Sequence, residues 1–108
     1  MEEERGSREP KDVSKMITDL ISFIKKLRKE KFSLRLKELL FKAHKFEVIK
    51  NNRILNQTNQ LKDGERKFNN ARGRFIEKCA KHGVKIDNHE ELLTSENLAQ
   101  YYYLSFDL

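Results

Sequence analysis

Disulfides, frequent chain reversals and long apolar runs are all missing from this sequence, and each absence removes a class of fold. A single cysteine, Cys79, in 108 residues cannot close an internal disulfide, and a free thiol is most at home in a reducing compartment. One proline and four glycines are too few for the many turns of an all-β domain. The scarcity of β-branched residues points the same way. No stretch approaches the ~18 consecutive apolar residues of a membrane-spanning helix, and the opening MEEERGSREP lacks the apolar core of a secretory signal. The expectation is an intracellular protein, cytoplasmic or nuclear.

Apolar material is also short. Hydrophobic and charged residues each make up 37% of the chain, against about 45–50% and about 25% in ordinary globular domains. With so little apolar surface per residue, a compact monomer of this length is marginal. An elongated bundle, a coiled coil or a subunit that borrows core from a partner fits the composition better. The net charge of +6 is unevenly spread: residues 1–12 carry −2, residues 13–49 carry +6, residues 50–82 carry +6 and residues 83–108 carry −4. A basic body with acidic ends attracts polyanions or acidic partners, unless the ends fold back and neutralise it.

What is present is helical. Residues 1–11 read as a disordered tail, followed by one helical domain over 12–108. After Asp12, a candidate N-cap, Val13, Met16, Ile17, Leu20, Ile21, Ile24 and Leu27 recur at helical spacing along one face. This predicts a helix over about 12–30. Ser33 can cap a second helix with Leu36, Leu39, Leu40, Ala43 and Phe46 inward. The connection is short, so the two helices are expected to form an antiparallel hairpin. The pattern then thins, and the second helix either runs on to about His82 or breaks at Asn51-Asn52 or Asp63-Gly64. Continuity is favoured, because apolar positions keep a seven-residue phase through Gly64; the helix would span about 34–82. Lys81, His82 and Gly83 form a stop signal, with cations at the negative helix end and glycine for the left-handed residue beyond it. A short last helix is expected over about 88–104, either whole or split at Thr94-Ser95, where Thr94 is an imperfect cap. The fold class is thus all-α: an antiparallel helical hairpin with a long, coiled-coil-like second helix and a short C-terminal helix.

Two rows on the long helix carry the functional expectations. Ile54, Leu61, Phe68 and Phe75 recur every seven residues, the spacing of a coiled-coil seam. The companion row of Gln57, Gly64, Ala71 and Lys78 is small or polar, so the seam is half built. It reads either as the core-facing stripe of a bundle or as a contact with a protein partner or a second copy of the chain. The second row, Lys62, Arg66, Asn70, Arg74 and Lys78, is spaced four apart. Cations so placed can track the phosphates of a nucleic acid and release counterions. Rows of charge on helices are more often solvated faces, and no base-reading motif accompanies this one.

The remaining candidates weigh less. The segment KMITDLISFIKKLRKEKF is basic and amphipathic, as membrane-surface and calmodulin-like ligands are. A helical partner a few residues away is the simpler cover, so membrane binding is not expected. Cys79, His82 and His89 are too few for a closed zinc site, and no cofactor is expected. Neither a phosphate-cradling loop nor a nucleophile elbow nor an HExxH pattern occurs, so no enzyme is expected. Finally, Tyr101, Tyr102, Tyr103, Leu104, Phe106 and Leu108 crowd aromatic area into the last eight residues. That area either folds back to complete the bundle or docks on a partner, as interface aromatics do. The functional expectation is a non-enzymatic interaction or scaffold subunit using the Ile54–Phe75 stripe and the Tyr101–Leu108 tail. The alternative is a small basic nucleic-acid-binding protein using the Lys62–Lys78 row.

Overall fold

Helix α1 spans Pro10–Leu27, α2 Glu30–Asn51, α3 Thr58–Lys81, α4 His89–Leu92 and α5 Ser95–Ala99, and a 3₁₀ turn over Tyr102–Asp107 closes the chain. The computed structural model describes residues 10–52 and 58–108, and every regular element among them is helical. The all-α expectation is met. Among the described residues, no helix is long and apolar enough to cross a membrane.

Residues 1–9 of the expected tail lie outside the described residues, but Pro10 and Lys11 are already helical. Proline suits a first helical position because its fixed φ is helical and its missing N–H would have no partner there. Asp12 therefore sits inside the first turn rather than capping it. At the other end Arg28 takes a left-handed φ of 56°, and its N–H donates to the Ile24 carbonyl at 3.2 Å. Helix α2 starts at Glu30, with no side-chain cap on Lys29, so Ser33 is a first-turn residue and not the expected cap. The earlier start turns Phe32 inward, fully buried, 6.5 Å from the Phe23 ring and 5.9 Å from the Phe75 ring. Glu30 in the first turn also suits the positive helix end.

The expected continuous helix over 34–82 is corrected. Asn52 leaves helical geometry, at φ −95° and ψ 87°, and α3 returns alongside α2. Phe46 faces Phe68 with ring centroids 6.3 Å apart, Glu38 meets Arg74 at 2.7 Å, and Phe32 stacks on His82 at 4.8 Å. Residue numbers that rise on one helix fall on the other, so the pair is antiparallel. The reason for the break is both local and global. Asparagine side chains compete for backbone hydrogen bonds and weaken a helix. An unbroken rod of about 75 Å would leave Phe68 and Phe75 wet, whereas the molecule measures 40 × 39 × 22 Å.

The long antiparallel pairing is therefore α2 with α3, and not the first helix with the second as the short connection suggested. The backbones of α1 and α2 come close at few positions. Instead α1 delivers Val13, Ile17, Leu20, Ile21 and Ile24 into a common core with Phe32, Leu36, Leu39, Leu40, Ala43, Phe68, Ala71, Phe75, Cys79, Leu93, Leu98 and Tyr101.

Helix α3 stops as its sequence predicts. Gly83 is left-handed at φ 79°; Val84 N–H donates to the Cys79 carbonyl at 2.8 Å and Gly83 N–H to that of Ala80 at 3.1 Å. These two bonds are those of a Schellman stop. The expected helix over 88–104 is divided at Thr94-Ser95, the split the sequence offered as an alternative, and again after Ala99, into three short pieces. Thr94 Oγ1 accepts from the Asn97 N–H at 3.1 Å, which starts α5 afresh. The Leu93 carbonyl left over by the interruption accepts from Arg72 Nη1 at 3.0 Å.

Candidate functional site

Helix α2 is apolar on two opposite sides, and that sets up the site. Its core side carries Phe32, Leu36, Leu39, Leu40 and Ala43. At 100° per residue, Leu34, Phe41 and Val48 fall on the far side, seven residues apart. They remain 52%, 41% and 49% exposed. Helix α3 covers one flank of α2 through Phe46–Phe68 and Glu38–Arg74. The C-terminal segment covers the other flank, held by buried Leu98, Tyr101 and Ser105 and by Ser95 Oγ donating to Glu47 Oε2 at 2.5 Å.

Between α2 and the C-terminal 3₁₀ turn lies an open groove of about 450 Å³, lined by Leu34, Lys37, Glu38, Phe41, Lys42, Tyr102, Ser105 and Phe106. Its floor is aromatic. Tyr102 lies 6.3 Å from Phe41 and 5.2 Å from Phe106, and it stacks flat on His44 at 4.0 Å. Phe106 is 70% exposed and Tyr103 63%. Lys42 and Lys45 each place an ammonium over the Phe41 ring, at 5.8 and 5.7 Å. The two carboxylates of the α2 interior are already engaged: Glu38 by Arg74 and by Arg35 at 3.5 Å, Glu47 by Lys50 at 2.8 Å. Lys37 and Lys42 in the lining, with Lys45 over the Phe41 ring, give the α2 side of the rim a positive character, while the opposite side carries exposed Asp107.

The residues expected to bind a partner divide. Ile54 lies outside the described residues. Leu61 is half-buried, and Phe68 and Phe75 are core residues packed against α2. The small companions Gly64 and Ala71 let the helices approach: a Cβ built at Gly64 would stand 3.2 Å from Phe46 Cδ1, and Ala71 is fully buried. In the C-terminal tail Tyr101 joins the core, Tyr102 bridges core and groove, and Tyr103 and Phe106 face outward.

In the basic row, Lys62, Arg66, Asn70 and Arg74 are exposed and Lys78 is half-buried. Two of its cations are committed within the chain, Arg66 to Asp63 and Arg74 to Glu38. Lys67, at 3.0 Å, and then Arg66 hold the Asp63 carboxyl below its usual range. Cys79 is fully enclosed, and burial pushes its thiol up to about 12. His82 stacks on Phe32 at the end of α3. Among the described residues, no three His, Cys, Asp or Glu side chains gather where they could hold a metal ion.

The row Leu34–Phe41–Val48 was missed by the sequence reasoning. Its signal was there: three large apolar residues at seven-residue intervals, masked by the stronger apolar pattern of the opposite side. No family model, curated protein or solved structure matches this chain.

Proposed function

We propose that the protein is a non-enzymatic interaction subunit that docks a protein partner in the groove between α2 and the C-terminal 3₁₀ turn. One observation carries this reading: Leu34, Phe41 and Val48 stand solvent-exposed opposite the core face of α2, with exposed Phe106 lining the same groove as Leu34 and Phe41. Large apolar residues left wet in a row, in a chain short of core material, are the composition of a binding surface. The tail thus keeps its expected contact role. The expected stripe gives way to a row on the preceding helix, since Phe68 and Phe75 are already spent on the core.

A second reading is nucleic-acid contact through Lys62, Arg66, Asn70 and Arg74, favoured by their exposure along one face of α3. One experiment separates the two. A photo-crosslinking side chain is placed at Phe106, and in a second version at Asn70, and each protein is irradiated in extract of its source cells. The docking reading predicts discrete protein adducts from position 106 that disappear with Phe41→Ser. Adducts from position 70 that are sensitive to nuclease, with none from 106, support the nucleic-acid reading instead.

A further inference from the structure

The groove also has a charge, and that narrows what fills it. Three occupants are chemically available. Residues 1–9 of this chain are acidic and offer Met1 as their one apolar side chain, a poor chemical match to an aromatic floor. A second copy docked groove to groove about a two-fold axis would bring the same lysines against Lys37, Lys42 and Lys45, and like charges juxtaposed at an interface oppose binding. A partner segment with apolar residues on one side and carboxylates beside them satisfies both the floor and the rim.

We infer that the groove takes an acidic amphipathic helix of a partner protein, one that presents apolar side chains at i, i+3 or i+4, and i+7 with Glu or Asp flanking them. This rests on the docking reading above and specifies its ligand. The geometry fits a helix. Leu34 and Phe41 line the groove and Val48 continues their row beyond it, so the exposed row spans about 21 Å at ~1.5 Å per residue, the length of a four-turn partner helix. Exposed residues at seven-residue intervals present a straight seam to such a partner. Phe41 is the central anchor, flanked within 6 Å by the Lys42 and Lys45 ammonium groups. Those cations can swing from the ring face to an incoming carboxylate while their stems stay on the apolar floor. Phe106 and Tyr102 form the wall on the opposite side.

The test uses the full-length protein and labelled synthetic helices of about 18 residues. All share one set of Leu and Phe positions; the flanking residues are all Glu, all Gln or all Lys. A fourth peptide has the Glu composition with its apolar positions scrambled. Binding is read by fluorescence anisotropy at about 0.05 and about 0.3 M salt, a range over which exposed charge contacts are progressively screened. The Glu helix is expected to bind at least about tenfold tighter than the Gln helix, which corresponds to about 1.4 kcal/mol, and to weaken with salt. Phe41→Ser should abolish its binding, and Lys42→Glu with Lys45→Glu should reduce it at least tenfold, with unchanged circular dichroism in both variants.

Tighter binding of the Gln or Lys helix, still dependent on Phe41, would overturn the acidic class and leave the docking reading standing. Binding of no helix, or binding that Phe41→Ser leaves intact, would overturn the docking reading itself. Equal binding of the scrambled peptide would reduce the site to diffuse charge attraction and overturn the inference. Two further measurements name rival occupants, and either result would overturn it: Phe41-dependent binding to phosphatidylserine–phosphatidylcholine vesicles, or Phe41-dependent dimerisation in light scattering.

Discussion

Gly73 and Cys79 show how differently two residues of one helix are constrained. Gly73 lies exposed in the middle of α3, and a Cβ added there meets nothing within 4 Å. Alanine is favoured over glycine in a helix by about 1 kcal/mol, so Gly73→Ala should stabilise by nearly that amount. In a domain of this size that corresponds to a melting temperature raised by several degrees, measurable by circular dichroism. Gly64→Ala should gain less or nothing, because its methyl group would press on Phe46 at 3.2 Å.

Cys79 faces the core, and burial disfavours its thiolate, which raises the pKa to about 12. In the unfolded chain the thiol titrates near its ordinary value of about 8.5–9. The protonated form is the one the fold tolerates. Its contribution is therefore complete below about pH 8.5 and is lost progressively as pH rises from there toward 12. Cys79→Ala should flatten that part of the alkaline loss of stability, as measured by denaturant titrations at stepped pH. In the native protein at neutral pH the thiol should resist alkylation until denaturant is added.

At the scale of helices, α2 and α3 each carry a seven-residue apolar row, and the two rows have opposite fates. The row through Phe68 and Phe75 is enclosed; that of Leu34, Phe41 and Val48 is open. Phe75→Ala should cost about 3–5 kcal/mol through lost burial and a residual cavity. Phe41→Ser should cost about 1 kcal/mol, because the ring is partly exposed and loses only its contacts with Tyr102, Lys42 and Lys45. Chemical denaturation of both variants checks the contrast, and comparable losses would place Phe41 in the core.

Sequence patterns made parts of this architecture readable. Lys81-His82-Gly83 announced the end of α3 down to its left-handed glycine, because that stop needs only local chemistry. Thr94 announced the start of α5 for the same reason. The break at Asn52 was readable only as one of two candidate breaks: the seven-residue phase of Leu61, Phe68 and Phe75 extends back to Ile54, across it, so periodicity argued for continuity. The groove was hidden by a different cause. A helix apolar on two opposite sides loses the contrast by which a single buried face is recognised, so the row through Phe41 left no amphipathic signature.

For the molecule as a whole, the distribution of charge is settled by apolar contacts. The basic pair α2 and α3 is flanked by the acidic C-terminal segment, which packs on α2 through buried Leu98, Tyr101 and Ser105. The Cα radius of gyration is 14.5 Å, a little above the roughly 13 Å of a compact chain of this length, as suits a body with one short dimension. Scattering from the purified protein should give a particle of about 13 kDa with a radius of about 15 Å. A radius above about 20 Å, as for a ~75 Å rod, would contradict the return of α3 along α2.

The two-sided character of α2 has a dynamic consequence. In the free protein its outward peptide groups face water along the Leu34–Phe41–Val48 line, while its inward ones are shielded by the core. A helix seated on that line would enclose α2 from every direction and make it the central strut of a larger bundle. Amide hydrogen exchange would register this as added protection concentrated in Glu30–Asn51, since local opening there would first require the partner to leave. Protection in Pro10–Leu27 would rise only to the extent that global unfolding slows. The pattern of exchange along the chain would thus map the partner's seat.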